Sequence, residues 1–146
     1  MKLEGIWSAT VYGPNEEIKS TFSDSHNVIT TNGKEYVADF LNTATCSAAA
    51  FDMDHIAVGT DNTGETVSDT SLGVELVRNT ATVSYTSGGI YELTTTFTTG
   101  QATGAVVEYG VFSSSTGGTM LSRDTESVIN VGANDTLTVT CQITFS

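Results

Sequence analysis

The stretch Asp135–Ser146, DTLTVTCQITFS, decides the fold class. In it Leu137, Val139, Cys141, Ile143 and Phe145 alternate with Thr136, Thr138, Thr140, Gln142 and Thr144. Successive side chains of a strand point to opposite faces, so this pattern is a strand with one core face and one hydroxyl-lined face. The same period opens the chain. In Leu3–Tyr12, Leu3, Gly5, Trp7, Ala9 and Val11 share one face, against Glu4, Ile6, Ser8, Thr10 and Tyr12 on the other. Gly13–Glu16, with the only proline of the chain, then turns it into a second strand, Glu17–Ser23, with Asn27–Thr30 read as its continuation.

Further short strands follow. His55–Gly59 is one; Glu75–Thr86 and Ile90–Thr99 form a hairpin around Ser87-Gly88-Gly89; Ala105–Phe112 is apolar enough to be central; Thr119–Asp124 is another. The one helix is predicted near residues 32–42, where Tyr36, Val37, Phe40 and Leu41 recur at helical spacing and Asn32 with Glu35 resembles a capping box. Thr43–Asp54 reads as loop. The expectation is an all-β fold, a β-sandwich (jelly-roll or immunoglobulin-like) of about eight strands with one short helix. At 146 residues it forms one domain, 1–146, with an N-terminal hairpin and helix (1–43) packed on it or extending it.

Charge narrows the partners. Five Lys and Arg stand against 17 Asp and Glu, a net charge of −12, so phosphate backbones and anionic membranes repel the chain. The N-terminus alternates and carries Glu4, unlike the apolar core of a signal peptide, which points to synthesis in a cytosol without secretion. Cys46 and Cys141 are too few for a disulfide framework and are expected to be reduced, buried or half-buried thiols.

Chemistry-bearing residues are sparse. His26 and His55 lack a convergent partner in sequence, since Asp54 and His55 should point to opposite faces of a strand. Glu92 and Glu108 are the best carboxylate pair for glycoside hydrolysis, but a Glu among Thr on an outer face is normally solvated. Asp61, Asn62, Glu65 and Asp69, with Asp52 and Asp54, could supply oxygen ligands for a structural calcium, although the spacing is not that of an EF-hand. In the bland reading these acids are solvated on a long connection that Ile56 and Val58 enter and that Leu72, Val74 and Leu76 pin at its far end. No catalytic or cofactor-binding residue is assigned.

The segment IAVGTDNTGETVSDTSLGVELVR (Ile56–Arg78), followed by the hairpin ATVSYTSGGIYELTTTF, resembles a family of small tailed-bacteriophage virion proteins. VVEYGVFSSSTGGTMLSRDT and INVGANDTLTVTCQITFS fit the ending of that family, and GIWSATVYGPNEEIKSTFSDSHNVITTNGKEYVADFL is similar to the N-terminal part of phage head proteins. The resemblance covers nearly the whole chain through turn and strand patterns. It implies a non-enzymatic structural protein, foremost a capsid decoration (cement) protein. Such a protein is assembled in the host cytoplasm and sits on the capsid exterior. Its implied partners are the major capsid protein and other virion proteins, and it is implied to be a homo-oligomer, with a trimer favoured. Ile6, Trp7 and Tyr12 are candidate partner contacts, although Trp7, on the apolar face of a strand, reads first as a core residue. The alternative is a tail fibre, head fibre or baseplate module that binds a host receptor or glycan, for which Phe51 and Tyr12 are the aromatic candidates.

Overall fold

The computed structural model describes residues 2–42 and 52–146. Along the chain these form β1 (Leu3–Tyr12), β2 (Ile18–His26), β3 (Val28–Ile29), α1 (Thr31–Asn42), β4 (His55–Gly59), β5 (Glu75–Thr80), β6 (Thr82–Thr86), β7 (Ile90–Phe97), β8 (Gly104–Phe112), β9 (Met120–Val131) and β10 (Thr136–Phe145). Two antiparallel sheets of five strands, in the orders β2-β1-β10-β7-β6 and β3-β9-β8-β4-β5, make the all-β sandwich expected from the sequence.

The alternating stretch at the C-terminus is the middle of the first sheet. β10 pairs with β1 on one side and β7 on the other, and Leu137, Val139, Cys141 and Ile143 are fully buried. They meet Ile56, Val58 and Val111 from the second sheet in one continuous core with Trp7, Leu93 and Phe97. Each side chain of this size contributes roughly 1.5–3 kcal/mol when removed from water. The N-terminal hairpin is built into the same sheet, since β1 lies between β2 and β10. On the outer face threonines pair across strands: Thr94 with Thr140 at 3.0 Å, Thr96 with Thr138 at 2.9 Å, and Thr10 with Thr21 at 2.9 Å.

Several expected elements differ in the structure. Ten strands form among the described residues rather than about eight. The expected single strand Glu75–Thr86 breaks at Ala81, where the Ala81 N–H donates to the Asp54 carbonyl at 2.7 Å. β5 then pairs with β4 in the second sheet and β6 with β7 in the first. Val28–Ile29 does not continue β2 but crosses to pair with β9. β9 runs well past Asp124, with two shifts of register against β8 that interrupt its alternation.

The helix starts one residue earlier than expected, and its cap is Thr30 rather than Asn32. The Thr30 hydroxyl accepts the Gly33 N–H at 3.0 Å and itself donates to the Met120 carbonyl, tying α1 to β9. Gly33 has a packing role there, because a Cβ on it would lie 2.6 Å from the Leu121 carbonyl oxygen.

Candidate functional site

The connection between β4 and β5 (residues 60–74) lies over the outer face of the second sheet, and it is held there by a carboxylate. Glu108, on β8, is fully buried. Its oxygens accept the backbone N–H groups of Asp61 at 3.1 Å, Gly73 at 2.8 Å and Val74 at 2.8 Å. Arg123, on the neighbouring β9, donates to the same carboxylate from Nε at 3.2 Å and Nη2 at 2.9 Å. Its Nη1 reaches Asp69 at 3.0 Å, and Asp61 Oδ2 stands 3.7 Å from Nη2. One buried anion thus satisfies both ends of a connection whose backbone would otherwise need water.

The glycines make this approach geometrically available. A Cβ on Gly59 would fall 2.3 Å from both Glu108 Oε1 and the Val74 carbonyl oxygen, and one on Gly73 would fall 1.9 Å from Asp61 Oδ2. Leu72 completes the dock by burying its side chain with Ala57, Phe112 and Met120. Elsewhere the connection is tied by Thr66 to Asp69, by Thr125 to Glu65, and by the Thr31 N–H to the Val67 carbonyl at 2.7 Å. Burial by itself would raise the Asp69 pKa, but hydrogen bonds from Thr66 and Arg123 outweigh it and hold the carboxyl below its ordinary value. Arg123 likewise loses solvation, yet its bonds to Glu108 and Asp69 keep it more firmly protonated than a free arginine.

This arrangement revises the reading of the acidic connection. Asp61 and Asp69 are turned toward a guanidinium, which supplies the positive charge that a calcium would otherwise bring. Glu65 serves Thr125 instead. Among the described residues no group of three or more His, Cys, Asp or Glu side chains is placed to hold a metal ion. Glu108 is not the solvated outer-face glutamate expected, because the connection covers it. At the far end Leu72 is pinned as expected, whereas Val74 and Leu76 are 54% and 40% exposed.

The other candidates are dispersed. Glu92 lies on β7 opposite Gln142, which donates to it, on the outer face of the first sheet. Glu108 lies on the outer face of the second, so the core separates the two carboxylates and they cannot flank one bond. Asp54 and His55 do meet, contrary to expectation: Asp54 Oδ1 stands 2.6 Å from His55 Nδ1, without hydrogen-bond alignment. His55 Nε2 is 3.3 Å from the Thr80 hydroxyl. Thr80 is the direct ladder partner of His55, so ordinary cross-strand pairing accounts for that contact. His26 ends β2 on the wall of a shallow pocket with Glu4, Asn27 and Lys34.

Of the expected partner contacts, Trp7 is fully buried against Tyr109, with ring centroids 5.8 Å apart, and so belongs to the core. Ile6 and Tyr12 are half-buried on the outer face of the first sheet. Cys141 is a free thiol in the core, which burial pushes well above its ordinary pKa. Cys46 and Phe51 lie outside the described residues. Arg123 is the site residue that sequence reasoning missed; its one signal was a cation within Thr119–Asp124, in a chain with only five Lys and Arg.

The second sheet therefore carries a covalently continuous lid, locked by a buried ionic cluster. Comparison with protein-family models, with curated proteins and with solved structures finds no match.

Proposed function

We propose that the chain is a non-enzymatic structural protein of a tailed-bacteriophage virion, a decoration (cement) protein that binds the major capsid protein lattice from outside and stabilises the head. The observation that carries this reading is the outer face of the first sheet. There Ser8, Thr10, Thr94, Thr96, Thr138 and Thr140 spread hydroxyl groups over three strands, β1, β7 and β10, in a chain whose net charge is −12. Such a surface offers many regularly spaced hydrogen bonds to a repeating lattice. The acidic remainder of the surface faces solvent and opposes nonspecific association. The buried ionic groups support the same reading, because Glu108, Arg123 and Asp69 are engaged with one another and with backbone, as a structural lock requires. The resemblance to phage virion proteins points the same way.

The test is cosedimentation of the purified protein with capsids that lack it, followed by heating and chelator treatment of the decorated particles. Binding that confers resistance, and that Thr140→Lys abolishes in a protein whose thermal melt shows it still folded, supports the proposal. Chelator sensitivity also reads whether a structural calcium contributes. Tyr85, 74% exposed, is what favours the alternative of a fibre or baseplate module. Binding to host cells or polysaccharide without binding to capsids would replace the first reading with that one.

A further inference from the structure

Sheet edges are ready templates for pairing, and soluble proteins guard them with charge, bulges, brevity or cover. Three of the four edges are guarded in this way. β2 shifts register twice against β1 and carries Lys19, paired with Asp135 at 2.9 Å. β3 has two residues and runs directly into α1. β5 carries Glu75 and Arg78, joined at 2.7 Å, and has a register shift against β4.

The fourth edge, β6, has none of these devices. Its sequence, TVSYT, holds no charge and no proline, and its ladder with β7 runs without a shift from Thr82↔Thr94 to Thr86↔Ile90. All five residues are exposed. Val83 and Tyr85 lie opposite Leu93 and Tyr91, on the side of the sheet that elsewhere forms the core. They are nevertheless 39% and 74% exposed, so β6 presents a core-type face that no described element covers.

We propose that β6 pairs antiparallel with β6 of a second copy, about a two-fold axis through Ser84, to make one continuous sheet across the dimer. The strand is self-complementary in this register. Val83 falls opposite the partner's Tyr85 on the apolar face, Thr82 opposite the partner's Thr86 on the hydroxyl face, and Ser84 opposite its own counterpart. A dimer of chains with net charge −12 must join where no carboxylates are brought face to face, and β6 is an edge that satisfies this. The same residues serve both sides, as a two-fold interface requires, and the closed pair leaves no free β6 edge for further growth. A two-fold dimer stands in place of the trimer expected from the resemblance. It is independent of the capsid reading and survives the failure of that reading.

The experiment is sedimentation equilibrium of the full chain. The wild type should give a species of twice 15.3 kDa. Val83→Lys with Tyr85→Lys sets like charges opposite one another and should weaken the dimer by more than about tenfold, giving monomer. Val83→Lys with Tyr85→Glu sets opposite charges in the same two places and should restore the dimer. Ser84→Lys and Ser84→Asp should each be monomeric alone and should form a mixed dimer when combined, which also controls for variants that fail to fold. A monomeric or trimeric wild type overturns the proposal. So does a dimer indifferent to these changes, or folded Ser84 variants that do not pair on mixing.

Discussion

The guanidinium of Arg123 meets the carboxylate of Glu108 at 2.9 Å, with the two side chains 3% and 0% exposed. A buried pair of this kind adds little net stability, because the cost of desolvating both charges offsets their attraction. Its effect here is on placement. Glu108 collects three backbone N–H groups from a connection without regular structure, and Arg123 fixes the carboxylate while engaging Asp69. The connection is thereby as well determined as the strands it joins.

Removing Glu108 alone should therefore cost more than removing both members of the pair. Glu108→Leu alone strands Arg123 and three N–H groups and should destabilise by about 3–5 kcal/mol. Adding Arg123→Met should recover part of that loss, since no charge is then left buried. Urea unfolding of the two single variants and the double variant measures the coupling. Strictly additive losses would show that the two side chains act independently.

Acid should loosen the same connection. Asp69 has a folded pKa below its unfolded value of 3.8, so the folded state holds its proton less readily. Its contribution is fully present above about pH 4 and is lost as the pH falls through the folded pKa. Asp135, lowered by its hydrogen bond from Lys19 and by the Gly132 N–H, acts in the same direction and window. Thermal melts should stay level from neutral pH to mild acid and decline below pH 4. Asp69→Asn should be less stable at pH 7 and should flatten the acid decline. A melting temperature that fell between pH 7 and pH 5 would point to other groups.

Legibility from sequence followed the regularity of the alternation. β1 and β10 were readable to the residue because each keeps one face wholly apolar through ten positions. The corner at Ala81 was hidden for the same reason. Val77, Ala81, Val83 and Tyr85 keep one parity through it, so a strand that changes sheets looks like one that does not. The clamp was half legible: Glu108 among Val106, Val107, Tyr109 and Val111 is a charge in a run apolar on both faces, and such a charge needs a partner. That partner sits 15 positions away, across a ladder with two register shifts, and Asp69 lies a further 39 positions before Glu108, beyond what spacing can connect. The helix cap was misplaced because Asn32 and Glu35 imitate a capping box one turn position inside the real start. The hydroxyl of Thr30 does the capping, and only its bond to β9 distinguishes it.

Cys141 should be inert in the folded protein. Burial disfavours the thiolate, and attack on disulfide reagents requires that form. In a Cys46→Ser background, native protein should react with a thiol-specific reagent only as fast as it unfolds, and denatured protein should react at once. Rapid labelling of the native state would place the thiol nearer solvent than the core of the first sheet.

Gly33 offers the sharpest separation of local from tertiary effects. In a solvated helix Gly→Ala gains about 1 kcal/mol, because alanine has the higher propensity and the smaller entropic loss. In α1 the same change should destabilise, since the new methyl would sit 2.6 Å from the Leu121 carbonyl oxygen and 2.7 Å from the Leu121 Cα. Both atoms are backbone in the ladder of β9, so the helix, not the strand, must yield. Moving it off the sheet would also stretch the bonds of the Thr30 hydroxyl to Met120 and Gly33. The expected cost is about 1–3 kcal/mol, typical of overpacking. For comparison, Ala38, exposed on the same helix, should lose about 1 kcal/mol on Ala38→Gly, in accord with propensity alone. Chemical unfolding of both variants decides the matter: a stabilised Gly33→Ala would mean that α1 does not rest on β9 as closely as described.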